Sequence, residues 1–232
     1  MWDYINWRHW RVLIKLDPNK NLTQKSLAAV LDCSPEAIVL GGTQGINTEN
    51  TMRLLQILNR AGYSGTVVQE ISDPSVVIDG VDAYFIPVVL NSPHYKWITG
   101  LHHEAIKKYK DSIDWNKVLA EGYIICNPAS MAGIVTGAIP VDVENAVAYS
   151  ILAEKLLGIP VLYIEYSGVF GDPSLVEAVA GKSENIHVIY GGGITSPDQA
   201  QRMLKWADTI VIGNVVYENP ECLRTIFDEV VV

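Results

Sequence analysis

The sequence predicts a closed (β/α)8 barrel, eight parallel strands alternating with helices, and three observations lead there. Short β-rich apolar runs recur eight times along the chain: Val12–Leu16, Ala37–Leu40, Thr66–Val68, Ala83–Leu90, Gly122–Cys126, Val161–Ile164, His187–Tyr190 and Thr209–Ile212. Amphipathic segments separate most of them: Thr23–Leu31, Thr48–Ala61, Trp97–Lys110, Val143–Leu157, Pro173–Ala180 and Pro197–Trp206. The runs are also apolar on both faces, as strands covered by helices on a parallel sheet must be. The rival is a doubly wound open sheet, which usually has fewer strands and a Gly-rich loop after the first one. Here the first run leads into Leu16-Asp17-Pro18 with no G-x-G-x-x-G. Eight strands in 232 residues suit one barrel, and no Pro-, Ser- or Gly-rich linker divides the chain, so residues 1–232 read as a single catalytic domain.

The helices carry their own signals. Between the second and third runs, Met52, Leu55 and Leu58 fall on one stripe at helical spacing. Thr48, Asp172 before Pro173, and Ser196 before Pro197 read as N-caps. Composition narrows the function classes. A net charge of −9 argues against wrapping nucleic acid, which wants a basic stripe. The one basic cluster, Lys107, Lys108 and Lys110, reads as a solvated helix face. The longest apolar runs fall far short of the ~20 residues of a membrane-spanning helix, and the charged, aromatic N-terminus does not read as a signal peptide. Cys33, Cys126 and Cys222 are scattered and odd in number, fitting neither a disulfide framework nor a zinc knuckle but a reducing cytoplasm, with Cys126 a small buried hydrophobe. His102 and His103 are adjacent and diverge, and His9, His94 and His187 stand alone, so no histidine metal site is expected. Trp2, Trp7 and Trp10 read as core or interface anchors.

Barrel enzymes place their chemistry at the carboxyl ends of the strands. After the first run, Lys15 and Asp17 project to one side and Leu16 to the other. Facing the mouth, Lys15 can hold an anion and Asp17 a hard cation; the alternative is a Lys–Asp ion pair sealing the barrel end. After the second run, Gly41-Gly42-Thr43-Gln44-Gly45 is either a tight connection or a turn whose Thr43 hydroxyl joins a magnesium–phosphate site. Along the sixth run, Val161, Tyr163 and Glu165 share one face, and Leu162 and Ile164 the other. With the second set packed outward, Glu165 enters the mouth as a base or a stabiliser of positive charge; the alternative is a structural partner for Lys15. The seventh run ends in Gly191-Gly192-Gly193 and the eighth in Gly213-Asn214. Bare backbone N–H groups after these two strands form the usual phosphate site of such barrels.

The segments Leu13–Lys20, Tyr84–Ser92, Glu121–Pro128, Tyr163–Gly168 and Tyr190–Ile194, in this order, resemble the geranylgeranylglyceryl/heptaprenylglyceryl phosphate synthase family, and most closely its bacterial PcrB branch. The resemblance runs from about Trp7 to Tyr217. It implies a magnesium-dependent prenyltransferase that joins the C3 hydroxyl of sn-glycerol 1-phosphate to C1 of a long prenyl diphosphate through an ether bond. Carried over by position, Lys15, Tyr163, Ile164, Glu165, Tyr166, Ser167, Gly168, Gly193, Gly213 and Asn214 hold sn-glycerol 1-phosphate. Asp17 and Thr43 hold magnesium, and Glu165 and Tyr163 are the catalytic pair. Ala105 matches a groove-lining position that is bulky in shorter-chain members; a small residue there favours a C35 heptaprenyl donor over C20 geranylgeranyl. The resemblance also implies a cytoplasmic homodimer with at most transient membrane contact. Two other readings remain open at this level. One is another phosphate-binding barrel enzyme, such as a sugar-phosphate isomerase or lyase; the other is a non-catalytic barrel that binds a phosphorylated metabolite.

Overall fold

The computed structural model describes residues 5–230, so Trp2 lies outside the described residues. Eight parallel strands close into a barrel in sequence order: β1 (Val12–Leu16), β2 (Ala37–Leu40), β3 (Thr66–Glu70), β4 (Ala83–Val89), β5 (Val118–Ile125), β6 (Val161–Glu165), β7 (His187–Gly191) and β8 (Thr209–Ile212). Closure comes from pairing β1 with β8, Val12 beside Ile210 and Ile14 beside Ile212. The predicted fold class is the observed one.

Strand alternation sorts the core into two layers. Leu13, Val39, Val68, Phe85, Tyr123, Tyr163, Ile189 and Val211 fill the barrel interior. Ile14, Ile38, Val67, Ile124, Leu162, Ile164, Val188 and Ile210 pack outward under the helices. At the amino-terminal end, Trp7 and Trp10 are buried against the inner layer and cap it.

The helices are α1 (Gln24–Asp32), α2 (Thr48–Arg60), α3 (Leu101–Tyr109), α4 (Met131–Thr136), α5 (Val143–Ile151), α6 (Pro173–Ala180), α7 (Pro197–Leu204), α8 (Val215–Glu218) and α9 (Glu221–Val230). Several boundaries depart from expectation. The cap of α2 is Asn47, not Thr48: Asn47 and Asn50 each accept the other's backbone N–H at 2.9 Å, a reciprocal box that Thr48 lies one residue too late to form. The buried stripe of α2 centres on Thr51, Leu54, Leu55 and Leu58, leaving Met52 at its edge. The helix expected at Trp97–Lys110 opens with a π-helical turn, Lys96–Gly100, and the one expected at Val143–Leu157 ends in another, Leu152–Leu156. Strand β5 begins four residues before the expected Gly122 and leaves Cys126 outside, because β4 is long enough to pair Tyr84–Pro87 with Val118–Glu121. Asp172 and Ser196 cap α6 and α7 as expected. Lys107, Lys108 and Lys110 are exposed.

Candidate active site

A cavity of about 1580 Å³ opens at the carboxyl ends of the strands. Its mouth is lined by Lys15, Asp17, Thr43, Glu165, Gly193 and Gly213, and it continues along an apolar groove past Ala105, Ile106, Tyr109 and Trp115 beside α3. Tyr163, Ser167, Gly168 and Asn214 also line it. Two residues of the expected set do not. Ile164 is fully buried in the outer layer, because strand alternation turns it away from the face that carries Glu165. Tyr166 leans back over Tyr190, ring centroids 6.1 Å apart, and its N–H donates to the Gly191 carbonyl at 2.6 Å. Neither side chain forms part of the cavity wall.

Lys15 and Asp17 do share a side, with Leu16 opposite in the outer core. The carboxylate that meets Lys15 is neither Asp17 nor Glu165 but Glu70, at the end of β3, whose two oxygens accept from the ammonium at 2.7 and 2.9 Å. Tyr123 Oη lies 3.5 Å from the same nitrogen and donates to Glu165 Oε2 at 2.7 Å. The other Glu165 oxygen accepts from the Ser167 N–H at 2.6 Å and from the Ser167 hydroxyl. Tyr163 stacks on Tyr123 with centroids 4.6 Å apart, and a Cβ at Gly191 would collide with its hydroxyl. Bare Gly191 thus makes the room that Tyr163 occupies.

Charge is crowded here. Burial raises the Glu165 carboxyl above the usual carboxylate range, with Lys15, Ser167 and Tyr123 opposing and Glu70 adding to the rise. Glu121, two residues before Tyr123 on β5, is fully buried with neither oxygen hydrogen-bonded; burial and the nearby Glu70 and Glu165 hold its carboxyl well above the usual range. Burial alone would lower Lys15, but Glu70, Glu165 and Glu121 outweigh it and the ammonium is retained. Glu70, Glu121 and Tyr123 are the site groups that sequence reading missed. Glu70 and Glu121 sit at the polar margins of apolar runs, where hydropathy reads a strand's end, and Tyr123 lay inside a run read as core.

Asp17 is held from behind: its Oδ1 accepts the Asn19 N–H at 2.8 Å, and its own N–H donates to Tyr217 Oη at 2.9 Å. Gly42 faces it so closely that a Cβ would lie 2.8 Å from Oδ1. Opposite, Lys20 donates to Asn214 Oδ1 at 2.9 Å, just ahead of α8. His102 forms part of the groove wall, its Nε2 3.0 Å from the Pro87 carbonyl. Among the described residues no cluster of three or more His, Cys, Asp or Glu is arranged to hold a metal by itself.

The chain is 43% identical over 212 residues to a heptaprenylglyceryl phosphate synthase of Geobacillus kaustophilus, covering 91% of this chain and 88% of that one. It is 38% identical over 228 residues to the protein of the same name from Bacillus cereus, covering 97% of each. In fold it is similar to the (S)-3-O-geranylgeranylglyceryl phosphate synthase of Thermoplasma acidophilum, solved with its substrate sn-glycerol-1-phosphate: TM-score 0.83 at 22% identity, over 95% of this chain and 93% of that one. The sequence profile of the PcrB family matches residues 5–231, and the chain belongs to that family.

Proposed function

We propose that this barrel is a prenyltransferase that joins the C3 hydroxyl of sn-glycerol 1-phosphate to C1 of a long-chain prenyl diphosphate, releasing diphosphate and forming an ether lipid precursor. One observation carries the reading: a single cavity joins a polar, glycine-walled mouth to an apolar groove, so a phosphorylated polyol and a greasy diphosphate can meet at Glu165. The curated relatives named for this reaction support it.

Glycerol 1-phosphate sits with its phosphate on the N–H groups of the loops after β7 and β8, near Gly193, Gly213 and Asn214. That anchoring holds the C3 hydroxyl close to the reacting carbon and turns an encounter between two substrates into an oriented one. The bond from C1 to the diphosphate oxygen breaks with its electron pair leaving on the diphosphate. The C3 oxygen forms the new bond to C1, and its proton passes to Glu165. Tyr123 and Ser167 fix the carboxylate's orientation, and the Tyr163–Tyr123 stack beside it offers π-faces to an allylic carbon that gains positive charge.

Magnesium fits the donor set. Mg²⁺ is usually bound through one or two carboxylates together with substrate phosphate oxygens and water. Asp17 supplies one carboxylate facing the space left by bare Gly42, with the Thr43 hydroxyl beside it on the cavity wall. An ion held there would neutralise charge on the leaving diphosphate.

Ala105 leaves the groove open beyond its position, which supports a heptaprenyl (C35) donor rather than C20. The enzyme acts as a cytoplasmic homodimer; no helix among the described residues is long and apolar enough to cross a membrane.

The test is to incubate the protein with radiolabelled sn-glycerol 1-phosphate, magnesium and donors from C15 to C35, with EDTA and sn-glycerol 3-phosphate as controls. Organic-extractable label that requires magnesium and the 1-phosphate isomer, greatest with C35, is expected. Binding of glycerol phosphate without extractable product from any donor would leave a phosphate-binding barrel of another activity.

A further inference from the structure

The Lys15 ammonium has three hydrogens, and all three are spoken for: two go to the oxygens of Glu70 and the third faces Tyr123 Oη. On the far side of that same hydroxyl lies Glu165, accepting from it at 2.7 Å. One phenol therefore separates the site's central cation from its central carboxylate. Three carboxylates, Glu70, Glu165 and Glu121, act on the charge of Lys15, and the one it pairs with is Glu70.

We propose that Glu70 is a positioning residue for ether formation: by holding the Lys15 ammonium on its own two oxygens, it keeps that cation from pairing directly with Glu165. This rests on the reading of Glu165 as the group that takes the C3 hydroxyl proton. A carboxylate clasped by an ammonium is a poor base, because the ion pair stabilises the charged form and a proton must displace it. Glu70 diverts Lys15, so Glu165 keeps only the neutral donors Tyr123 and Ser167 and remains the more basic of the possible arrangements.

The contact is built in. Glu70 ends β3 almost fully buried, and the neighbouring Gly41 carries no side chain where a Cβ would lie 3.0 Å from Glu70 Cβ, 3.3 Å from its Oε1 and 3.3 Å from Lys15 Cε. Any side chain at residue 41 would press on both partners of the ion pair. The groups whose charge bears on Glu165 are Lys15 from β1, Glu70 from β3, Tyr123 and Glu121 from β5 with Cys126 just beyond it, Tyr163 on β6 itself and Tyr190 on β7. Lys15 is the one cation among them, so where it rests decides the basicity of Glu165. The tyrosines and Cys126 stay neutral near pH 7, since burial raises each.

The experiment is the pH dependence of kcat for the wild type, Glu70→Gln and Glu70→Asp, with KM for glycerol 1-phosphate recorded at each pH. In the wild type the acid limb reports protonation of the base in the loaded enzyme. In Glu70→Gln the freed ammonium swings to Glu165. The acid limb should move down by about one pH unit and the plateau of kcat fall by about tenfold, while KM for glycerol 1-phosphate does not rise. Glu70→Asp retains a carboxylate too short to hold Lys15 on two oxygens, and its limb should move in the same direction by less. A loss of packing would lower activity without moving the limb. An acid limb that stays in place or moves up in Glu70→Gln overturns the proposal; if that variant does not fold, an unmoved limb in Glu70→Asp does the same. Should the wild type make no ether at all, the reading of the reaction has failed instead.

Discussion

The two ends of the barrel both bury titratable groups, and they handle them in opposite ways. At the amino-terminal end, His187 is buried with its Nε2 hydrogen-bonded. Thr209 donates its hydroxyl hydrogen to the Trp10 carbonyl at 2.5 Å, so it accepts from His187 Nε2 at 2.7 Å. That leaves Nδ1 bare of hydrogen, 3.8 Å from Asp208, and the ring packs edge-on to Trp7 at 5.2 Å. At the carboxyl end, one lysine faces three glutamates, and Glu121 has no hydrogen-bond partner for either oxygen. Burial is equally deep at both ends, so burial does not mark the site. Whether the buried charge is satisfied does. Unpaired buried polar groups are costly and persist where they serve a purpose, and the end that carries them is the end with a cavity.

The comparison breaks most visibly at Glu165. Glu165→Gln should lower turnover by about 10²–10⁴-fold, the usual worth of a positioned acid–base group, with glycerol phosphate binding retained in calorimetry. Unchanged turnover would remove Glu165 from the mechanism and leave the carboxyl end no more chemical than the other.

The amino-terminal end should respond to acid in stability rather than in activity. Burial, the largest cause, holds His187 down at about 4, against an ordinary value of 6.5. Between those values the unfolded chain binds a proton that the folded chain refuses, so stability is complete above about pH 6.5 and falls as pH drops toward 4. The loss amounts to about 3 kcal/mol across that window. His187→Gln, which keeps a donor for Thr209, should flatten this part of a urea-denaturation pH series. A slope no flatter in the variant would show that the acid sensitivity comes from elsewhere.

Two smaller effects sharpen the description of the open end. Gly42→Ala pushes a methyl against the Asp17 carboxylate, which can swing aside. Folding should be unchanged, and the magnesium concentration for half-maximal activity should rise about tenfold, as for other disturbances beside a metal ligand. An unchanged magnesium midpoint would place the ion elsewhere. Ala105→Trp should reduce activity with C35 donors by about tenfold, within the range that pocket shape usually delivers, and spare short donors. Equal losses on all donors would mean that residue 105 does not gauge chain length.

Most of this architecture can be read from the sequence for a physical reason. A parallel strand covered on both faces is an uninterrupted apolar run, and β1, β2 and β8 coincide with their runs residue for residue. The period of two then places Lys15, Asp17, Tyr163 and Glu165 on the cavity side. What escapes is anything that depends on closure. Glu70 ends β3 and Glu121 lies inside β5, and both look like polar margins of an apolar run until the barrel shows them facing inward. The partner of Lys15 lies 55 residues away, and no local pattern could have chosen Glu70 over Asp17 or Glu165. The outward turn of the Ile164 side chain was legible from alternation, which leaves its backbone as the part that could meet the substrate. Helix α9 carried a readable stripe in Leu223, Ile226 and Phe227 but follows the last strand, where the strand–helix count had already ended.

The central claim is that the open end of the barrel forms one specific ether. The most direct measurement offers the protein racemic glycerol phosphate, magnesium and an equimolar mixture of C15 to C35 prenyl diphosphates, and reads the mass and the configuration of what is extracted. A heptaprenyl ether on the sn-1 phosphate isomer, in excess over every other combination, is the expected product. No ether, or an ether formed equally on both isomers, would contradict the account.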